Sequence, residues 1–173
     1  NVSIHDNTAT SNGGGIFLEG CDTNGQSFSI YDSKICDNNA GNNGGGIFAT
    51  ESAVLNLFGG TISGNTCANS GGGIRVAAST HFIVAEHQNP IYRNPVYIKG
   101  NKAKYGGGIS TGADNFNLIG KCEIEDNTAT IQGGGVYINR GDKFLLLKQT
   151  TVTKNTAPQG GGVYLGKDNT GSD

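Results

Sequence analysis

The stretch ISGNTCANSGGGI, at residues 62–74, contains two sequence elements that recur along the whole chain. One element is Gly-Gly-Gly followed by Ile or Val. It occurs six times, starting at Gly13, Gly44, Gly71, Gly106, Gly133 and Gly160. These starts lie 31, 27, 35, 27 and 27 residues apart, so the basic unit has 27 residues, with 4 and 8 more in two units. A regular period of this length is typical of a protein built from stacked repeats.

The second element precedes each triplet and reads apolar-x-x-Asn-x-small. Its copies are Ile4/Asn7/Ala9, Ile35/Asn38/Ala40, Ile62/Asn65/Cys67, Ile98/Asn101/Ala103, Ile124/Asn127/Ala129 and Val152/Asn155/Ala157. The internal spacing is constant, whereas the number of residues leading to the glycines varies by one. We therefore expect a rigid element followed by a short loop.

The local sequence favours strands over helices. Gly and Asn interrupt any long 3.6-residue apolar period, and short runs such as 16–18, 28–30 and 136–138 alternate with a period of two. Together with the repeat, this predicts an all-β parallel β-helix, or solenoid, of about six coils, as a single domain over 1–173. The chain begins inside a repeat motif, and we expect it to be part of a longer protein.

Stacking of coils should align equivalent residues in inward columns. We predict one column of Ile and Val beginning at Ile4, a second beginning at Ile16, and a third of small residues beginning at Ala9. The Asn residues should lie at a bend in left-handed conformations, with amides bonded up and down the stack. We assign this structural role to Asn7, Asn38, Asn65, Asn101, Asn127 and Asn155. The glycines should permit a corner with positive φ, or alternatively leave the backbone open to a ligand.

Composition excludes several functional classes. The net charge is −2 and the charges are scattered, so no basic stripe indicates nucleic-acid binding. No apolar run approaches the roughly 20 residues of a membrane-spanning helix, so no membrane insertion of this segment is expected. No cofactor motif is present, and the cysteine spacing matches no metal site. Cys67 and Cys122 are predicted to be buried thiols, whereas Cys36 should point outward and could form a disulfide with Cys21.

Two insertions, near 19–27 and 78–97, interrupt the repeat. The second contains His81, Glu86, His87 and Arg93. Insertions in a repeat stack emerge as loops, and loops often carry function, so these four residues are binding candidates. Their spacing matches no standard metal motif. The alternative is a hairpin that packs across the face of the coil.

A column of residues directly after the first strand residue should point outward. It reads Phe17, Phe48, Arg75, Ser110, Tyr137 and Tyr164. Its aromatic members, Phe17, Phe48, Tyr137 and Tyr164, are binding candidates because exposed rings can stack on sugars or anchor a partner protein. The alternative is that these rings pack on one another across coils.

The pairing of Gly-Gly-Gly-Ile with Ile-x-x-Asn resembles the repeats of the polymorphic outer-membrane protein family. It is also similar to repeats of large adhesin-like surface proteins. The resemblance covers nearly the whole chain and implies a right-handed parallel β-helix. It also implies a non-catalytic passenger at the cell surface or outside the cell, binding a protein or glycan of a host or neighbouring cell.

Two other functions stay open. A polysaccharide lyase or glycosidase would need paired carboxylates, and Asp6 and Asp37 hold equivalent positions in neighbouring coils. No further acid or base joins them in that column. An ice-binding module would need a regular Thr face, but Asn39 and Lys102 interrupt the column that contains Thr8 and Thr66. Calcium binding fails because no Asp follows the glycines at the required spacing.

Overall fold

The computed structural model describes residues 1–20, 27–50, 53–77, 81–84, 94–112, 115–118, 120–139, 144–147 and 149–166. Over 81–84, 115–118 and 144–147 it describes the backbone alone. Within these ranges the chain forms twenty β-strands and no helix, so none of the described segments is a helix that could cross a membrane. Every pairing between strands is parallel, as expected for a solenoid.

The strands form three sheets. Sheet A contains β1 (Ser3–His5), β4 (Phe28–Cys36), β7 (Val54–Ser63), β10 (His81–Val84), β11 (Val96–Lys99), β14 (Asn115–Leu118), β15 (Cys122–Glu125), β18 (Phe144–Leu147) and β19 (Thr150–Thr153). Sheet B contains β2 (Thr8–Ala9), β5 (Asn39–Ala40), β8 (Thr66–Cys67), β12 (Lys102–Tyr105) and β16 (Thr128–Gln132). Sheet C contains β3 (Ile16–Glu19), β6 (Ile47–Thr50), β9 (Ile74–Val76), β13 (Ile109–Thr111), β17 (Val136–Ile138) and β20 (Val163–Leu165).

The register aligns equivalent repeat positions, so the predicted all-β parallel solenoid is confirmed. In sheet A, Ile4 pairs with Ile35 and Ile35 with Ile62, and the same register continues to Val152. In sheet C the column runs from Ile16 to Val163 in the same way. The solenoid has about five turns, slightly fewer than the six coils expected, because the six equivalent strands of sheet C enclose five complete repeats.

The core lies inside the coil and is formed by these columns. Ile74, Ile98, Ile109 and Ile124 are each 0% exposed. Full burial of such a side chain contributes roughly 1.5–3 kcal/mol to folding. The first and last members of these columns pack against a neighbouring coil on one side: Ile4 is half-buried and Val163 is 37% exposed.

Small residues fill the third inward column, beneath sheet B. Ala40, Cys67, Ala103 and Ala129 are all buried there. Their uniform size is explained by the narrow corner that sheet B forms, where the strands have only two to five residues.

The expectation of a hairpin in the second insertion is wrong for residues 81–84. This segment is β10, which pairs in parallel with β7 on one side and β14 on the other. His81 therefore occupies a strand position of sheet A, aligned with Val54 and Asn115, and belongs to the coil itself. The extra residues of this repeat must lie between β10 and β11.

Candidate functional site

The corner between sheets A and B is built around a ladder of Asn side chains. Asn65 Nδ2 donates to Asn101 Oδ1 at 3.0 Å and to the carbonyl oxygen of Ile35 at 2.9 Å. Its backbone N–H donates to the same Asn101 Oδ1 at 2.9 Å. The amides of all six Asn residues are joined in this way, and the four inner members are buried. The ladder therefore satisfies buried backbone groups and has a structural role.

The left-handed conformation occurs one residue earlier than predicted. The Asn residues do not have positive φ, whereas the residue before each one does: Asp6, Asp37, Gly64, Gly100, Asp126 and Lys154, with φ between 54° and 66°. This geometry explains the composition of that column, because Gly and Asp tolerate the left-handed region better than most residues. The Asn side chain then points into the corner instead of making the turn itself.

Each glycine of a triplet is required for a different reason. Gly71 has a φ of +73°. A Cβ on Gly72 would lie 2.5 Å from the carbonyl oxygens of Gly107 and Lys102 in the next coil. A Cβ on Gly73 would lie 3.1 Å from Asn101 Nδ2. The next coil therefore occupies the space above the inner glycines, and the strip is not open to a ligand.

The outer face of sheet C carries the aromatic column. We call it the ridge, and define it as Phe17, Phe48, Arg75, Ser110, Tyr137 and Tyr164, joined by Tyr105. The register places the first six in one line across neighbouring strands. They alternate with the buried Ile and Val of the same strands, so the predicted outward direction holds.

The rings of the ridge contact one another along the stack. Phe17 stacks on Phe48 with ring centroids 5.3 Å apart, and Tyr137 stacks on Tyr164 at 5.5 Å. These contacts stabilise the rings but bury them only in part. Phe17 is 46% exposed, and Phe48, Tyr137 and Tyr164 are half-buried, so part of each side chain remains accessible. The Tyr137 hydroxyl donates to Asn139 Oδ1 at 3.2 Å. Partial burial and the neighbouring Tyr164 raise the pKa of Tyr137, so its hydroxyl stays protonated at neutral pH.

The sequence did not predict the contribution of Tyr105 to the ridge. Tyr105 ends a strand of sheet B, yet its ring lies 5.2 Å from that of Tyr137. It follows a shift of register between Ala103 and Tyr105, which takes it out of the repeat pattern. A sequence signal was present, since the residue directly before the glycines is Tyr105 in this repeat and Asn, Ser or Gln in the other five.

Arg75 lies at the centre of the ridge, between the Phe pair and the Tyr group. Its Nη1 donates to Ser110 Oγ at 3.2 Å, and Ser110 is fully buried. Burial lowers the pKa of the guanidinium, while the nearby Tyr137 opposes this shift. A half-buried cation among aromatic rings is the most polar feature of this face.

The acidic pair considered for catalysis lies at the corner. Asp6 accepts a hydrogen bond from His5 Nδ1 at 2.7 Å, and both side chains are exposed. Asp37 holds the left-handed turn position in the next coil and is also exposed. Among the described residues, no group of three or more His, Cys, Asp or Glu side chains is placed to hold a metal ion.

The cysteines occupy two environments. Cys67 and Cys122 are buried, and burial raises the pKa of Cys122 to about 12. Cys36 is half-buried on the outer face of sheet A and is bonded to no other cysteine among the described residues. Cys21 lies outside the described residues, so its pairing with Cys36 stays a prediction. Glu86, His87 and Arg93 also lie outside the described residues, as does the side chain of His81.

Comparison with known proteins gives one match. A family model described as "Right handed beta helix region" matches residues 1–172. No curated protein and no solved structure matches the chain. The match covers nearly every residue and agrees with three parallel sheets stacked in register. The chain therefore belongs to the right-handed β-helix family.

Proposed function

We propose that this chain is a non-catalytic binding segment of an extracellular or cell-surface protein, of the adhesin or passenger type. The observation that carries the proposal is the ridge. Five aromatic residues line one outer face of the solenoid, at positions that lie outside the Ile and Val core. A rigid stack that presents rings in fixed register is well suited to binding an extended partner.

The ridge has the composition of a binding surface. Tyr, Phe and Arg are enriched at binding surfaces, where the rings supply apolar area and Tyr and Arg also supply hydrogen-bonding groups. The self-stacked rings of Phe17–Phe48 and Tyr137–Tyr164 are already held in place. A partner would therefore meet a preorganised surface, which lowers the entropic cost of association.

The polysaccharide-active alternative has weaker support. Asp6 and Asp37 occupy turn positions that need a residue tolerant of positive φ, and Gly fills the same position in the next two coils. A backbone requirement therefore accounts for these carboxylates. The ice-binding alternative needs a flat Thr array, and Asn39 and Lys102 interrupt the register of Thr8, Thr66 and Thr128 in sheet B.

A glycan and host-protein array tests the proposal. We expect the intact chain to bind at least one ligand without releasing sugar fragments, and Tyr137→Ala to reduce this binding at least several-fold. Tyr31→Ala is the matched control, because Tyr31 stacks on Phe58 at 5.0 Å on the outer face of sheet A instead.

A loop deletion tests whether the partner binds to the ridge or to the second insertion. The deletion should be confined to 85–93, since removing 81–84 would take out β10 and damage sheet A. Binding lost on this deletion but kept in Tyr137→Ala would place the partner on the loop. Release of sugar fragments by the intact chain, abolished in Asp37→Asn, would replace the adhesin proposal with the enzyme.

A further inference from the structure

The Asn ladder has the same hydrogen-bond direction at every step. In each step, the backbone N–H and the Nδ2 of one Asn both donate to the Oδ1 of the Asn in the following coil, over 2.9–3.0 Å. The Nδ2 of that following Asn donates to a carbonyl oxygen of the preceding coil, over 2.8–3.0 Å. From Asn38 to Asn127, each side chain therefore makes three bonds to the coil before it and one to the coil after it.

The three bonds close the turn of the preceding coil. The side-chain amide of Asn101 bonds both the carbonyl oxygen of Ile62 and the N–H of Asn65, which are the first and fourth residues of one turn. Gly64 lies within this turn with a φ of 66°. Ile62 and Asn65 are buried, so these two backbone groups need a partner inside the protein. That partner comes from the next coil, in place of the direct bond that often joins the ends of a four-residue turn.

The backbone bonds at the same corner show no preferred direction. The N–H of Asp37 donates to the carbonyl oxygen of Ser63, which lies in the following coil. The N–H of Thr66 donates to the carbonyl oxygen of Asn38, which lies in the preceding coil. Neighbouring coils thus exchange backbone bonds both ways. The asymmetry between the two sides of a coil comes from the Asn side chains.

The corner between sheets B and C carries a shorter amide series with the opposite direction. Asn43 donates from its backbone N–H and its Nδ2 to Asn12 Oδ1 in the preceding coil, both at 3.1 Å. Asn69 Nδ2 donates to Asn43 Oδ1 at 3.2 Å. At this corner the side chain of Asn12 bonds a backbone N–H of the coil after it. The two corners therefore allow a comparison of direction within one molecule.

We propose that the Asn ladder couples neighbouring coils in one direction, because each turn between sheets A and B is closed by the coil that follows it. Loss of one ladder side chain opens the turn on its N-terminal side and leaves the turn on its C-terminal side closed. Burial alone does not predict this difference, since Asn65, Asn101 and Asn127 are all 0% exposed. This coupling is independent of the ridge and of the proposed binding function.

Amide hydrogen exchange, measured for each residue by NMR, tests the direction in Asn101→Ala. The amide of Asn65 loses its acceptor and should exchange at least about tenfold faster than in the wild-type chain. The amide of Asn127 keeps Asn155 Oδ1 as its acceptor and should exchange at the wild-type rate. A similar acceleration at both amides, or throughout the chain, would overturn the one-way coupling.

Two further variants keep the test decisive if the first does not fold. Asn38→Ala removes its three bonds from the first turn of the ladder, where Asn7 is exposed, so the rest of the stack should persist. The amide of Asn7 should exchange faster, and that of Asn65 should not. Asn12→Ala is the matched control at the other corner, where the amide of Asn43 in the following coil should exchange faster. Faster exchange at Asn65 in Asn38→Ala, or an unchanged Asn43 amide in Asn12→Ala, would contradict the assigned directions.

Discussion

The inward and outward faces of sheet C are formed by the same six strands, yet their residues differ in kind. Inward, the column contains only Ile and Val, and Ile47, Ile74, Ile109 and Val136 are each 0% exposed. Outward, the same strands carry Phe, Arg, Ser and Tyr. The inward residues are restricted by the fixed distance between coils, which leaves no room for another size or shape. The outward residues meet no such limit, so this face can vary and acquire a binding function.

The largest difference between the inward and outward faces is expected at two adjacent residues of β9. Ile74→Ala should lower the free energy of unfolding by about 2–5 kcal/mol, because it leaves a cavity between Ile47 and Ile109 in the stack. Arg75→Ala should cause a much smaller loss, since its side chain lies on the outer face. Denaturant unfolding followed by circular dichroism gives both values. Similar losses at the two positions would contradict the assignment of inner and outer faces.

A second test extends the comparison to the polar interior. Asn65→Ala should cost about 1–3 kcal/mol for each buried group left without a partner. The bonds lost are those from the backbone N–H and the side-chain amide of Asn38 to Asn65 Oδ1 and the bond to the carbonyl oxygen of Ile35, whereas Asn101 Oδ1 keeps the backbone N–H of residue 65. Asn42→Ala is the matched control, because that side chain is exposed. The midpoints of thermal unfolding of the two variants are compared with that of the wild-type chain. Equal midpoints for the two variants would show that the Asn ladder does not stabilise the fold.

A smaller effect is expected at the turn before the ladder. Lys154 has a φ of 54° at a position where other coils use Gly or Asp. Lys is strained there, since the left-handed region costs most residues about 1–2 kcal/mol. Lys154→Asn should therefore raise the stability by up to about 1 kcal/mol, because Asn tolerates this conformation. The neighbouring Thr153→Asn should give no gain. A loss at Lys154 would show that its side chain makes a contact more important than the strain.

The last test needs no substitution and compares the reactivity of an outward-facing cysteine with that of a buried one. In the reduced native protein at pH 8, iodoacetamide should modify Cys36 and leave Cys122 intact. Only the thiolate reacts, and burial raises the pKa of Cys122 to about 12, so this thiol stays protonated as well as inaccessible. Partial burial and the neighbouring Asp37 also raise the pKa of Cys36, which slows its reaction, but its side chain is accessible. Mass spectrometry before and after unfolding measures the difference. Rapid labelling of native Cys122 would show that the inner face opens to solvent.

Much of the fold could be predicted from spacing alone. The columns beginning at Ile4, Ile16 and Ala9 form as expected, because a constant repeat length leaves a parallel stack little freedom of register. The turn was predicted less well. The left-handed residue is Asp37 or Gly64 and not the Asn that follows, since the Asn amide is needed to bond the next coil. Spacing cannot distinguish two adjacent residues of one turn.

In the candidate site, too, the residues that follow the repeat were predicted and those that depart from it were not. Phe17, Phe48, Tyr137 and Tyr164 were predicted from their common position in the repeat. Tyr105 was missed because it reaches the ridge from sheet B, after a change of register that no repeat period describes. The strand at His81–Val84 was missed as well, since the extra residues after it hid its place in the coil.

The sequence by itself therefore determined the architecture: a parallel solenoid with Ile and Val columns, an Asn ladder and Gly at each corner. Repeated local patterns are sufficient for this, because each coil packs only on its neighbours and the same contacts recur. Only the tertiary structure decided which side chains from different sheets meet on the surface. It placed the ring of Tyr105 beside that of Tyr137 and left Arg75 paired with the buried Ser110, through contacts that depend on three-dimensional approach and not on period.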